Sequence, residues 1–341
     1  MPLRHTAVGA LVTGLVLVAA PTLPAAAATA PALPPGCTSS TLPGGGAHIV
    51  CTQGLRPADG PLDGTDQADI IEVRGGDAHL HGAVNGLGGD DVITVDRIVA
   101  GGDPVEVRGS IDGGDGDDRI TVTDTDRFSA EGPVRGGAGD DTITTGDMSY
   151  RGLIDGGTGN DTVTTGRVHG TGIDGGPGND TLRLAAYVVP EYDKTSRLSG
   201  GPGNDTLTVG TLGGPLTAGP GNDVITVDAI NRATSRLPRL VVVDGDEGDD
   251  AIRLGPIGAH EPEEERGSVI RGGAGADLIE VPSLGQGRSA SVSGDDGDDV
   301  IQGPGGTVTV VGPQGTVDGG NGDNLCRTEQ PEGGTVVNCR A

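Results

Sequence analysis

The sequence predicts an all-β protein, a repeat solenoid of about twelve coils built around one distinctive turn. Three observations predict it. A nine-residue string, led by glycine in eleven copies and by Ala218 in one, recurs twelve times from Gly64 to Arg327. Aliphatic residues alternate on both sides of every copy, which marks strands with one buried face. Aromatic side chains are nearly absent, with one Phe, three Tyr and no Trp in 341 residues. A thick globular core draws on large aromatics, so a thin aliphatic core fits better.

The chain opens on a different kind of sequence. Arg4 and His5 precede an apolar run over 7–20, followed by Pro21, Pro24 and an alanine stretch over 25–28. This reads as a signal peptide, residues 1–28, cleaved near Ala28. It leads to an expectation of a secreted, extracellular protein with no membrane span after cleavage. The alternative is a membrane anchor, for which the run is short.

Residues 29–61 are expected to form an N-terminal cap, 62–325 the repeat region and 326–341 a C-terminal cap. Each cap holds a pair of cysteines, Cys37 with Cys51 and Cys326 with Cys339. Four cysteines allow three connectivities. The two local pairings are expected because each closes a short loop, in the oxidising setting an exported chain meets. A zinc site is the alternative, but the spacing of its ligands is not met.

Within 62–325 the copies read, among others, GGDGDDRIT from Gly113, GGAGDDTIT from Gly136 and GGTGNDTVT from Gly156. GGPGNDTLR follows from Gly175, GGPGNDTLT from Gly200 and GGAGADLIE from Gly272. Weaker copies start at Gly64, Gly86 and Gly319. The sixth position is Asp91, Asp118, Asp141, Asp161, Asp180, Asp205, Asp223, Asp250, Asp277 and Asp299 in ten successive copies. Asp69 precedes them in a turn without the glycine pattern, and Asn324 follows. The eighth position is aliphatic from Ile71 to Ile301 and becomes Cys326 in the last copy; the residue two before each copy is aliphatic from Leu62 to Val317. Each copy therefore reads strand, tight turn, strand. The shortest step between sixth-position Asp residues, Asp205 to Asp223, is 18 residues, or two nine-residue half-coils. One copy thus marks one full coil, and the longer steps put variable turns on the opposite edge.

Glycine allows positive φ, so the turn can curl its carbonyls toward one centre. Asp adds a short carboxylate. Hard oxygen donors of these two kinds suit calcium better than magnesium, which demands stricter octahedral geometry. The charge agrees: 66 Gly, a formal net charge of −27, and Lys194 as the single lysine. Nucleic acid is excluded, because phosphate contacts need Lys and Arg clusters. Paired acids at Asp90, Asp117, Asp140, Asp249 and Asp298 beside the sixth-position Asp residues are expected to repel in the absence of cations. The alternatives are a solvated acidic face without specific ions, or a disordered chain.

The pattern GGxGxDxUx, with U a large aliphatic residue, resembles the RTX, or haemolysin-type, calcium-binding repeat, over roughly 62–325. The resemblance implies a parallel β-roll with several calcium ions between neighbouring turns. It implies as ligands the ten Asp residues from Asp91 to Asp299, together with turn residues Gly113, Gly136, Gly156, Gly175, Gly200 and Gly272. This chain departs from the tandem pattern by carrying metal turns along one edge only.

The function expected is a calcium-dependent structural or adhesive role outside the cell, toward a partner or surface the sequence does not identify. The first alternative is an extracellular polysaccharide-acting enzyme, since paired carboxylates can cleave glycosides. Against it, the acids repeat evenly, the histidines are scattered (His79 and His81 share an alternation), and no GxSxG or HExxH motif occurs. The second is ice binding by the threonines of the seventh and ninth positions, such as Thr142, Thr144, Thr162, Thr164, Thr206 and Thr208. Three insertions, 185–197 with two tyrosines, 228–240 and 259–266, are expected to be outer-edge loops.

Overall fold

Val, Ile, Leu and Thr at period two favour extended chain half-buried on a pleated surface, and the chain takes that form throughout. The computed structural model describes residues 33–74, 80, 82–96, 109–123, 132–149, 152–190, 193–230, 240–257, 267–285, 289–330 and 333–340. The expected signal peptide, His79, His81, the loop 259–266 and most of 228–240 lie outside them.

Two long sheets run side by side. Among the described residues, the twelve strands that precede the turns, from Leu62–Asp63 to Gly315–Asp318, form a 13-stranded parallel sheet with Thr335–Val337 added at its end. Those after each turn form a second sheet from Ala47–Cys51 to Leu325–Cys326. The twelve turns enclose about eleven complete coils of a parallel β-solenoid. Parallel strands stacked this way bond each coil's backbone to the next.

Register is set by the buried face, because a one-residue slip would turn the apolar set outward. In the second sheet Ile93 lies opposite Ile120, then Ile143, Val163, Leu182 and Leu207. In the first, Val84 lies opposite Ile111, then Val134, Ile154, Ile173 and Leu198. All of these are buried, each contributing about 1.5–3 kcal/mol of transfer free energy. The two ladders face each other, which is why large aromatics are not needed.

The middle of the second sheet is wider. Thr162–His169, Thr181–Val188 and Thr206–Gly213 are eight residues long, against four for Val92–Val95 and Arg119–Val122. The extra length adds an inner column in which Tyr187 lies opposite Val168 and Leu212, all buried. This corrects the reading of 185–197 as an outer loop. Its first four residues continue the strand, the alternation runs on through Tyr187, and the phenol ring joins the core.

The ends are closed differently. Cys37–Thr41 pairs antiparallel with Ala47–Cys51, which then pairs parallel with Ile70–Val73. At the other end a three-stranded sheet, Ser283–Leu284, Thr309–Val311 and Thr328–Glu329, adds a third side. Both expected disulfides are formed, Cys37–Cys51 and Cys326–Cys339. Helix among the described residues is limited to two 3-10 turns, Pro57–Asp59 and Pro304–Gly306. No helix there is long and apolar enough to cross a membrane.

Candidate metal centre

The repeated turn stacks on itself, and its glycines serve two different ends. The second and fourth glycines hold the left-handed backbone: φ is +114° at Gly114 and +130° at Gly116, with the same sign at Gly137, Gly139, Gly157 and Gly159. The first glycine is fixed by space instead. A methyl on Gly113 would lie 2.2 Å from Oδ2 of Asp118 and 2.4 Å from the carbonyl oxygen of Gly136 in the next coil. At Gly136 the same point is 2.3 Å from Oδ2 of Asp141 and 2.3 Å from the Gly156 carbonyl. Gly156, Gly175, Gly200 and Gly272 repeat the arrangement. Sequence reasoning gave every glycine the curling role, whereas the first one leaves room beside a carboxylate.

The sixth-position Asp residues form a buried ladder. Asp91, Asp118, Asp141, Asp161, Asp180, Asp205, Asp223, Asp250, Asp277 and Asp299 are each 1–2 % exposed. Oδ1 of each accepts the backbone N–H of the sixth residue one coil earlier, at 2.7–3.0 Å. Oδ2 of all ten is buried with no hydrogen-bond partner. Burial accordingly pushes the carboxyls of Asp91, Asp141, Asp223, Asp250 and Asp277 up to about 7. Those of Asp118, Asp161, Asp180 and Asp205 rise to about 6, and Asp299 is raised as well. Loss of hydration is the main cause. The N–H bond to Oδ1 acts against it, and neighbouring acids add to it.

The ends of the ladder differ. Asp69 has partners for both oxygens: Oδ2 accepts the Thr65 N–H at 2.5 Å, and Oδ1 accepts the Thr65 hydroxyl and the Ala47 N–H. Asn324 replaces Asp at the far end and still accepts the Asp299 N–H, at 2.7 Å. The bond through Oδ1 therefore needs no charge.

A second, exposed ladder runs the opposite way at the fifth position. Oδ1 of Asp90 accepts from the N–H of Asp117 in the following coil, and Asp117 accepts from Asp140. Asp140, Asn160, Asn179, Asn204 and Asn222 continue it up to Asp249, and Asp249 accepts from Ala276. These side chains, read from the sequence only as excess acid, tie one coil to the next. Sequence spacing could have found this: Asp and Asn share one column there, which suits a side-chain carbonyl acceptor in either form.

Backbone carbonyls of the turn also link coils. The Gly116 N–H donates to the carbonyl of Ala138 and the Gly139 N–H to that of Thr158. Each carbonyl keeps a second lone pair. Among the described residues, no three His, Cys, Asp or Glu side chains gather as a metal cluster; each level offers one buried carboxylate and backbone oxygens. The threonine column runs in register through Thr94, Thr121, Thr144 and Thr164, and is broken by Arg183 before Thr208.

A model of the RTX calcium-binding nonapeptide repeat matches the chain in four stretches, 110–124, 134–147, 153–170 and 196–211. No curated protein and no solved structure matches it. The matched stretches fall on the stacked glycine–aspartate turns, and the chain therefore carries RTX calcium-binding repeats on a parallel β-solenoid.

Proposed function

We propose that this is a secreted calcium-binding β-roll that folds on calcium and has a structural or adhesive role outside the cell. One observation carries the reading: ten successive buried carboxylates each keep one oxygen without a partner. An unpaired buried charge costs several kcal/mol. Asn does the same backbone bonding at position 324 and throughout the central fifth-position column. The charge at the sixth position thus has no structural use unless a cation meets it.

The residues fit a hard cation. Asp91 to Asp299 would supply Oδ2, and the first-position residue of the next coil, such as Gly113, Gly136, Gly156, Gly175, Gly200 or Gly272, would supply its carbonyl oxygen. Oxygen donors of variable number suit calcium better than magnesium. Calcium supplies positive charge to a column that otherwise repels itself, so its binding is folding energy. Extracellular calcium modules work at about 10⁻⁴–10⁻³ M, a range in which export would precede folding. The two disulfides fit an oxidising setting, where the bridged segments cap the open ends of the roll. The even repetition of the carboxylates favours a scaffold over a catalytic pair.

Far-UV circular dichroism of the chain from residue 29 onward, titrated with calcium from EGTA and with magnesium as control, tests the reading. A coil-to-β transition specific to calcium is expected. A chain already β-structured in EGTA and unmoved by calcium would overturn it.

A further inference from the structure

We infer that the roll contains a central block of four coils that folds without calcium, flanked by coils that close only when calcium neutralises them. The inference rests on the calcium reading above and divides the roll by what each turn contains.

Charge is distributed unevenly along the stacked turns. The turn from Gly86 carries Asp90 and Asp91, that from Gly113 carries Asp115, Asp117 and Asp118, and that from Gly136 carries Asp140 and Asp141. The next four turns, from Gly156, Gly175, Gly200 and Ala218, carry one acid each: Asp161, Asp180, Asp205 and Asp223. Their fifth positions are Asn160, Asn179, Asn204 and Asn222, whose amide oxygens accept the next coil's N–H at 2.7–2.9 Å without charge. Beyond them the turns from Gly245 and Gly294 carry four acids each, and the turn from Gly272 between them carries Asp277 alone. Carboxylates stacked at the ~4.8 Å strand spacing repel most where each level holds several.

Four further features favour the same block. Its post-turn strands are the longest, up to eight residues, so each coil adds more backbone bonds to the next. It holds the one tyrosine of the second core column, Tyr187 between Val168 and Leu212, a column that runs on to Met148 before the block and to Ile257 and Leu284 beyond it. Pro177, Pro202 and Pro220 at the third position restrict three of its four turns before folding. Its internal steps include the shortest of the ladder, 18 and 19 residues, against 27 for the longest, and shorter closed loops cost less entropy. In its last turn, moreover, Ala218 brings its own methyl to the place the first glycine leaves open elsewhere, and it is fully buried.

Calcium would then zip the roll outward from an existing template, with the core ladders of the central coils serving as the surface on which flanking strands add. Nucleation, the costly step in assembling stacked repeats, would be independent of the ion.

Hydrogen–deuterium exchange of the oxidised chain in EGTA, magnesium and calcium tests this. In EGTA, amides of Thr162–His169, Thr181–Val188 and Thr206–Gly213 are expected to exchange at least about a hundredfold more slowly than those of Val92–Val95, Arg119–Val122 and Val300–Gln302. Calcium is expected to remove the difference by protecting the flanks. If the whole roll exchanges freely in EGTA and closes at once with calcium, the inference fails while the calcium reading stands. If the whole roll is protected in EGTA and calcium changes nothing, the calcium reading fails. The combined variant Asn160→Asp, Asn179→Asp, Asn204→Asp and Asn222→Asp keeps every acceptor oxygen. It is expected to lose central protection in EGTA and regain it in calcium; protection retained in EGTA would overturn the charge argument.

Discussion

Replacing Asp205 by Asn isolates the charge on the buried ladder. Asp205 is 1 % exposed, its Oδ1 accepts the Asp180 N–H at 2.7 Å, and its Oδ2 has no partner. Asn keeps the first interaction, as Asn324 does. Burial raises the Asp205 carboxyl from 3.8 to about 6. A raised folded-state value means the contribution to stability is fully present below the unfolded value near 4 and is lost as pH rises through 6. Two pH units correspond to about 3 kcal/mol, so at pH 7.5 without calcium the ionised Asp205 costs the roll about that much. Asn removes this cost and adds a buried amide hydrogen pair without a partner, at about 1–3 kcal/mol. In EGTA at pH 7.5 the variant should be as stable as the parent or up to about 2 kcal/mol more stable. Between pH 7.5 and pH 4 the difference should move by about 3 kcal/mol in the parent's favour. In calcium the order reverses, because the variant has lost a ligand. Urea unfolding in EGTA at the two pH values, and again in calcium, reads all three terms. A variant several kcal/mol less stable than the parent in EGTA at pH 7.5 would refute the reasoning, since the charge would then be stabilising without an ion.

The same sign governs the whole ladder: without calcium, urea midpoints should be highest near pH 4 and fall as pH rises through 6–7, by about 1.4 kcal/mol per pH unit for each carboxyl titrating, while saturating calcium should flatten the curve. Gly176→Ala puts a methyl at φ +98° and 2.0 Å from the Gly157 carbonyl oxygen, and should destabilise the calcium-loaded roll by about 3 kcal/mol or more, read by thermal unfolding. Tyr187→Ala empties a fully buried site and should cost about 3–5 kcal/mol with calcium stoichiometry unchanged by titration calorimetry. Removing the Cys37–Cys51 bridge, which spans 14 residues, should lower stability by about 3 kcal/mol, and exchange should increase first at Ala47–Cys51.

Much of this protein is decided by local periodicity. The alternation around each glycine turn specifies strand, turn and buried face at once, so the two ladders from Leu62 and Ile71 onward, the parallel stacking and both disulfide pairings are legible from the letters alone. The sixth-position Asp residues are legible as a column for the same reason: stacking makes every equivalent residue a neighbour. What the letters do not contain is direction. Only the stacked coils decide that the sixth-position carboxylates reach back to the preceding coil and the fifth-position side chains reach forward, because both depend on where the neighbouring N–H groups point. They also decide that Asp69 closes on Thr65 and Ala47 instead of keeping an open oxygen, and that the first position is kept small, Gly or Ala218, by the approach of Oδ2 and not by φ. Tyr187 is the clearest case. Its neighbours in sequence suggest a loop, yet the column between Val168 and Leu212, 19 residues before it and 25 after it, draws it inside, since burial is settled by partners that lie one coil away.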